Sequence, residues 1–517
     1  GSGTLNSWKR VIWPEDRARC FLHALLLLYI FKQILIAVIM PPFTGHDEVA
    51  HYQYIRDVAT DFRIPKIVDL EEWRATHSNA DQTVAGDFLD PDLYRWANYV
   101  LDWLQQSTIN PRTNETPRTP IYAVFYPDYN LPAGSDWVDW PNGWTYTANH
   151  PPLFYVISAP VYWATDWMSV ANQSIALRTV AIPFGMLAVL GTFLIARWLF
   201  PRTSFVAITA ATFVAFQTQI SYEAAMINND ILVIGFGAIL AALLVRGMRD
   251  RFPWMLTISI GALFGLMLLS KGSSLAFAAP IALMMVLGIG VRNWREWIPK
   301  GAAAAGIGFA LAAPWYTFLY RTYGNFSGLD QIADLQYWET YSQGTDLPSL
   351  WSDLIWNHGF AISRWNETWG EFGWRKIPLS MNMLWGLGIA CLIPLIAFLV
   401  YLASVSRPSG RVTRDGTIEH PLVWQLSAMV SFVLVGFLGY AAVIQFGMRF
   451  VLTQARYFFP MVPPVSVLLM IGVYWLVPAR ARGYAQVLIV AALIGLNLYI
   501  YSAYVIPYWY EGFWLAS

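Results

Sequence analysis

An acidic pair, Asp47-Glu48, stands in the stretch PPFTGHDEVAHYQYI (41–55), just beyond the first strongly hydrophobic run. If a short helix begins after Gly45, His51 lies four residues past Asp47 and three past Glu48, so these side chains share one face. A carboxylate there is able to take the proton of an attacking hydroxyl, which is the task of a general base. The same residue types suit a helix N-terminus, where acids cap the first turn and complement the dipole. His46, Asp47 and His51 also form a weaker metal set, without spacing of the metalloprotease type. A second cluster, SYEAAMINND (221–230), sets Glu223 and Asp230 beside a hydrophobic run that Asn228, Asn229 and Asp230 are able to cap. Lys271, in LLSKGSSL, interrupts two uncharged apolar runs, where it either neutralises a lipid phosphate or snorkels to the interface. Arg456 and Tyr457, in QARYFFPMVPP, repeat the case, with Arg449 one loop away, so that two or three cations at headgroup depth make a phosphate cradle. Lys32 lies inside the first run, about 12 Å from its end at about 1.5 Å per residue, and either snorkels or faces a polar interior.

The elements that must hold these residues are membrane helices. Of 517 residues 56% are hydrophobic and 13% charged, with 26 Trp and a mean hydropathy of +0.42, a composition that describes an all-α polytopic membrane protein. The 33 basic and 33 acidic residues cancel, so no global charge points to nucleic acid. Cys20 and Cys391 both sit at or inside apolar runs, which excludes a disulfide framework and a cysteine metal site. Cys20 to Met40 is too long for a secretory leader and lacks a small-residue cleavage site, so it reads as a retained helix.

Apolar runs of about 20 residues suffice to span a hydrocarbon core of roughly 30 Å. Such runs fall near 20–40, 178–197, 203–221, 229–246, 254–270, 273–291, 301–320, 382–405, 421–446, 457–477 and 484–506, predicting about eleven spans within a range of 10–13. Basic clusters at Lys9-Arg10, Arg17-Arg19, Arg197-Arg202, Arg246-Arg251, Arg292-Lys300, Arg407-Arg414 and Arg480-Arg482 all fall on one side if the amino terminus is cytoplasmic. The shorter run 151–167 would reverse every later loop if it crossed, and is read as an interfacial helix. The resulting order is a cytoplasmic start and first span (1–40), an extracytoplasmic loop with the acidic pair and interfacial helices (41–177), a transmembrane core (178–320), a second large extracytoplasmic loop (321–380) and C-terminal spans (381–517). Both loops are rich in Trp, Asp and Asn, a composition that suits sugars, since an aromatic face packs on a pyranose while amides and carboxylates take its hydroxyls, and that equally suits Trp anchoring the loops at the membrane interface. Sequons at Asn114, Asn172, Asn325 and Asn366 all lie on the same outer side.

With these residues in order, the chain resembles the GT-C superfamily of polytopic glycosyltransferases, in particular the protein O-mannosyltransferases, the lipid A aminoarabinose transferases and a bacterial branch with a similar ARYFFPMVPP segment. The resemblance runs through GHDEVAHYQYI, NHPPLFY, Leu177-Arg178, NND at 228–230, LSKG, APWY at 313–316 and ARYFFPMVPP. It implies that Asp47 is the catalytic base, with Glu48 as acceptor-positioning partner or alternate base. It implies further that Lys271, Arg456 and Tyr457 face the phosphate of the donor; His51, His150, Glu223 and Asp230, on the same side of the membrane as Asp47, are substrate-binding candidates. His150 stands where the aminoarabinose transferases typically carry lysine, so lipid A specificity is not implied. The implied reaction is an inverting transfer of a sugar from a polyprenyl-phosphate donor to a hydroxyl of a glycan, lipid or protein at the extracytoplasmic face of a bacterial inner membrane. No cofactor is required by it, although superfamily members with pyrophosphate donors use a divalent cation. The rival readings are a flippase for a lipid-linked sugar, or a non-catalytic subunit of glycan assembly; most runs from 254 to 506 lack the charges a transport path needs.

Overall fold

The computed structural model describes residues 17–67, 145–333, 348–407, 414–449 and 453–510. Lys9, Arg10, Arg411, Asn114 and the aromatic stretches 136–144 and 337–347 lie outside the described residues. A bilayer leaves no water to satisfy peptide groups, so each segment closes its own hydrogen bonds. Extended pairing among the described residues is confined to Glu371 and Phe372 opposite Pro378 and Ile377.

In chain order the helices are α1 (Arg17–Ile39), α2 (Glu48–Thr60), α3 (Leu153–Ala164), α4 (Val170–Arg178), α5 (Ile182–Leu199), α6 (Ser204–Phe216) and α7 (Thr218–Glu223). There follow α8 (Asp230–Asp250), α9 (Trp254–Leu268), α10 (Ala278–Ile289), α11 (Trp294–Tyr323), α12 (Leu329–Ala333), α13 (Phe360–Trp369) and α14 (Phe372–Arg375). The last are α15 (Met381–Ser406), α16 (Val423–Arg449), α17 (Val462–Leu476), α18 (Arg482–Ile500) and α19 (Ile506–Tyr510).

Nine helical stretches among the described residues are long and apolar enough to cross a membrane. The predicted eleven are not reproduced as such. The runs 203–221 and 254–270 contain α6 and α9, of 13 and 15 residues, which reach only about 20 Å at about 1.5 Å per residue. The 12-residue α3, with Pro160 inside it, is shorter still.

At the centre α8 packs along α5. A Cβ on Gly191 would come within 2.6 Å of the Ala238 backbone, so glycine there sets the close approach of the two helices. Outward faces are apolar instead: α1 exposes Leu27, Phe31 and Val38, and α15 exposes Trp385, Ile389 and Ile393, as expected where lipid is the solvent.

The break between α6 and α7 explains Lys32. Gln217 leaves helical geometry at ψ 123° and caps α7 by accepting from the Ile220 amide at 2.6 Å. The carbonyls released by the break are taken by Lys32 at Ala215 and by Asn497 at Phe216 (3.0 Å), and Lys32 also donates to Ser221 Oγ at 2.7 Å. Lys32 therefore faces a polar interior.

The helices also sort the charges. Asp230 opens α8, Lys271 follows α9, and Arg456 precedes α17 in the 3-10 turn Ala455–Met461. Arg251, Glu296 and Lys300 pair with one another at the other ends, as do Arg482 and Glu419.

Candidate active site

Pro41 and Pro42 end α1, because neither supplies an amide to continue it. After them the chain turns sharply: a Cβ on Gly45 would fall 2.5 Å from Glu48 Cδ, so only glycine lets Glu48 fold back and accept from the Gly45 amide at 2.8 Å. Asp47 then sits in left-handed geometry at φ 61°, a conformation Asp tolerates better than bulkier residues. It occupies the N-cap position of α2 without capping it through its side chain. The carboxylate points elsewhere: Oδ1 accepts from the Tyr146 hydroxyl at 3.0 Å and Oδ2 from Arg456 Nη2 at 2.6 Å.

Neighbouring acids thus part ways. Glu48 is fully buried against a fully buried Arg178. Its Oε1 accepts from Arg178 Nε at 2.8 Å and the Ile227 amide at 2.9 Å, and its Oε2 from Arg178 Nη2 at 2.7 Å and the Gly45 amide. Arg178 spends its remaining donors on the carbonyls of Ala37, Met40 and Pro41, at 2.8, 2.5 and 2.7 Å. The expected sharing of the base role with Glu48 finds no geometric support, since both its oxygens are engaged and closed off from solvent.

A chain of alternating charge runs from Asp47 across the site. Arg456 bridges Asp47 and Asp230, its Nε lying 3.2 Å from Asp230 Oδ2, and Asp230 Oδ1 receives Lys271. The Lys271 ammonium lies 4.7 Å from the centre of the Tyr457 ring, a cation–π distance. Asn228, not Asp230, caps α8, by accepting from the Ile231 amide at 3.2 Å; Asp230 is left to the cations. The Asp47 and Lys271 side chains remain 20% and 16% exposed, so both reach the solvent-facing side of the cluster.

His51 does not meet Asp47 through its ring. Its Nδ1 pairs with the Tyr155 hydroxyl at 2.9 Å, and that hydroxyl lies 3.3 Å from His150 Nδ1. Asn229 Nδ2 reaches His150 Nδ1 at 3.4 Å and donates to the Ser270 carbonyl at 2.9 Å, next to Lys271. Tyr54 stacks on Tyr155 with ring centres 3.6 Å apart. The sequence reading missed Tyr146, Tyr155 and the pairing of Arg178. Arg178 carried a usable signal, because a cation opening an apolar run demands a partner.

Burial pushes the Asp47 carboxyl up, but the Arg456 guanidinium, helped by His51 and a hydrogen bond from Arg456, outweighs it and holds the group well below the usual carboxylate range. Burial lowers His51 to about 4 and His150 to about 3, which leaves both rings neutral near pH 7. Glu223 moves the other way. Burial pushes it up to about 7 against the Arg456 charge, with Asp230 adding to the rise; Asn228 donates to it at 2.9 Å and His46 Nδ1 stands 3.9 Å away. A carboxyl raised above its ordinary 4.5 binds its proton more tightly in the folded chain. The stability it contributes is complete below that ordinary value and is lost as pH rises through about 7. The thermal midpoint of the purified protein is therefore expected to fall between about pH 6 and pH 8, and the slope to shrink in Glu223→Gln. An unaltered slope in that variant would assign the pH dependence to other groups.

Among the described residues no group of three or more His, Cys, Asp or Glu side chains is placed to hold a metal ion. The nearest acids, Asp47 and Asp230, already flank a guanidinium.

Residues 149–318 match the family model for dolichyl-phosphate-mannose-protein mannosyltransferase, a segment that contains His150, Tyr155, Arg178, Glu223, Asp230 and Lys271. No curated protein sequence matches the chain. Among solved structures, the chain is similar to apo ArnT from Cupriavidus metallidurans, with 12% identity, a TM-score of 0.40, and coverage of 66% of this chain and 52% of that one. It is also similar to the oligosaccharyltransferase AglB from Archaeoglobus fulgidus in complex with an inhibitory peptide and a dolichol-phosphate, with 12% identity, a TM-score of 0.43, and coverage of 92% and 55%. The chain thus spans about half the length of these solved proteins. The family-model match covers about a third of the chain, and shows that residues 149–318, which carry His150, Arg178, Asp230 and Lys271 of the cluster, are similar to the dolichyl-phosphate-mannose-protein mannosyltransferases.

Proposed function

We propose that the protein transfers a sugar from a polyprenyl-phosphate donor to an acceptor hydroxyl, with inversion, at the extracytoplasmic face of a bacterial inner membrane. The observation that carries this reading is Asp47: a carboxylate at a membrane-surface helix end, unused as a cap and hydrogen-bonded to a cation that belongs to a two-cation cluster. A base must be ionised and open to the acceptor, and Asp47 is held as a carboxylate and is 20% exposed. In the reaction the acceptor oxygen bonds to the anomeric carbon, the bond from that carbon to the phosphate oxygen breaks, and its electron pair leaves with polyprenyl phosphate. Asp47 takes the acceptor proton. Lys271 and Arg456 offset the charge growing on the leaving phosphate, each contributing roughly 3 kcal/mol by analogy with oxyanion donors. Tyr457 holds Lys271 by its ring face, Asp230 aligns the two cations, and His51, His150 and Glu223 line the acceptor and sugar side.

A phosphomonoester is a competent leaving group beside two cations, so the step is written without a metal or other cofactor. The acceptor is a hydroxyl of a glycan, a lipid or a protein. The outer placement is supported by the basic residues, which gather at the helix ends opposite the cluster. A polyprenyl-phosphate donor is supported by the family model, which is named for dolichyl-phosphate-mannose and whose matched segment includes Lys271.

The test is transfer of sugar from synthetic polyprenyl-phosphate donors by the purified protein in nanodiscs. Lys271→Met is expected to raise the donor KM about tenfold, one charge-assisted contact, and to lower kcat as well, because the charge it meets grows in the transition state, with the acceptor KM unchanged. Equal donor KM in the variant and the parent would remove Lys271 from the phosphate site.

A further inference from the structure

Arg456 is held by more than the two acids on its guanidinium. Its turn, Ala455–Met461, begins with backbone amides that have no partner earlier in that turn, and the first of them is met from the second outer loop. Glu367, on α13, accepts from the Ala455 amide at 2.7 Å through Oε2. Its Oε1 is gripped by Arg364 Nη2 at 2.6 Å and Arg375 Nη2 at 2.8 Å. The same two arginines reach the carbonyl of Thr453, Arg364 by a short bond and Arg375 at 3.4 Å. One carboxylate and two guanidinium groups therefore clasp both sides of the backbone that leads into Arg456. Glu367 and Arg364 are almost fully buried, so the clasp acts where its hydrogen bonds are strongest.

The loop that carries the clasp is itself fixed to the acid side of the site. Gln217 and Thr218 donate to the carbonyls of Thr368 and Trp369. The Gly373 amide donates to the Tyr222 hydroxyl at 3.3 Å, and that hydroxyl donates to the Thr44 carbonyl at 2.9 Å, three residues before Asp47. Through α13 and α14 the turn bearing Arg456 is thus referred to the turn bearing Asp47.

We infer that Glu367 is a positioning residue for Arg456: it caps the Ala455–Met461 turn from the second outer loop and sets the guanidinium at the place where the donor phosphate is received. The inference rests on the proposed role of Arg456. Glu367 does not touch substrate, and its effect on the phosphate passes entirely through Arg456.

The experiment is a double-mutant cycle on binding of a short-chain polyprenyl phosphate to the full-length protein in detergent, with thermal midpoints recorded for every variant. Glu367→Gln is expected to weaken binding about tenfold, the worth of one hydrogen bond to a charged group, in protein that still melts cooperatively. Arg456→Ala is expected to weaken it at least as much, and the double variant no further than Arg456→Ala alone. Glu367→Asp, which keeps the charge but shortens the reach, is expected to fall between parent and Gln, and completes the same cycle if Glu367→Gln does not purify folded. Additive losses in the double variant would overturn the inference, because Glu367 would then act independently of Arg456. Unchanged binding in Arg456→Ala would instead overturn the phosphate role of Arg456, and the positioning role with it.

Discussion

Asp47→Asn will reduce kcat for sugar transfer by about a hundredfold to ten-thousandfold, the range for loss of a general base, and will leave binding of polyprenyl phosphate unchanged or tighter. The two halves of this expectation come from the same contact. Asp47 Oδ2 accepts from Arg456 Nη2 at 2.6 Å, so in the resting site the carboxylate and a donor phosphate compete for one guanidinium. A neutral amide is the weaker competitor. Arg456 also holds Asp47 ionised well below the usual carboxylate range, which makes it proton-free but a poor base while the pair persists. When phosphate draws on the guanidinium, the carboxylate loses its counter-charge and gains basicity. In the proposed reaction, donor arrival and activation of the base are then one event. The measurement is steady-state transfer beside equilibrium binding in the same preparation. A drop in donor affinity with kcat intact would make Asp47 a binding residue and end the base assignment.

The membrane class and the order of the motifs were legible in the sequence because the bilayer imposes a coarse rule: long apolar runs, with charges at their ends. Asp47, Asp230, Lys271 and Arg456 were legible for the same reason, each being an ionisable group where lipid penalises it. Their mutual distances were not. Arg456 stands 409 residues from Asp47 along the chain, and no local pattern reports such a pairing. Hydropathy marked the runs that hold α6 and α9 but not how short those helices are, because it averages over a window, and for α6 the window passes through the break at Gln217. His51 misled through helical spacing: it shares a face with Asp47, but the Tyr155 hydroxyl, 104 residues away, turns its ring aside. Glu48 misled by adjacency. Two neighbouring acids look interchangeable until the backbone is known, and the left-handed turn at Asp47 sends one carboxylate outward and the other inward.

That division predicts opposite phenotypes for neighbouring residues. Glu48→Gln is expected to lower the amount of folded protein and its thermal midpoint strongly, while molecules that do fold keep near-parental kcat. Breaking a buried ion pair by removing one partner costs about 3–5 kcal/mol, because the other charge is left buried without compensation, against a typical total of roughly 5–15 kcal/mol. Arg178→Met is expected to be worse. It strands the Glu48 carboxylate and also deprives the carbonyls of Ala37, Met40 and Pro41 of their donor, at the very end of α1 where the helix cannot supply one. Removing both charges together, as Glu48→Gln with Arg178→Gln, should recover part of the loss, since no unpaired charge remains. The lock matters to the site because Glu48 joins three segments: the end of α1 through Arg178, the start of α2 through Gly45, and Ile227, three residues before Asp230. It fixes how far Asp47 stands from Asp230, and so whether one guanidinium spans them. Fluorescence-detected gel filtration and thermal melts, read beside kcat per folded molecule, check the assignment. A Glu48→Gln protein that melts like the parent but has lost kcat would move Glu48 into the reaction.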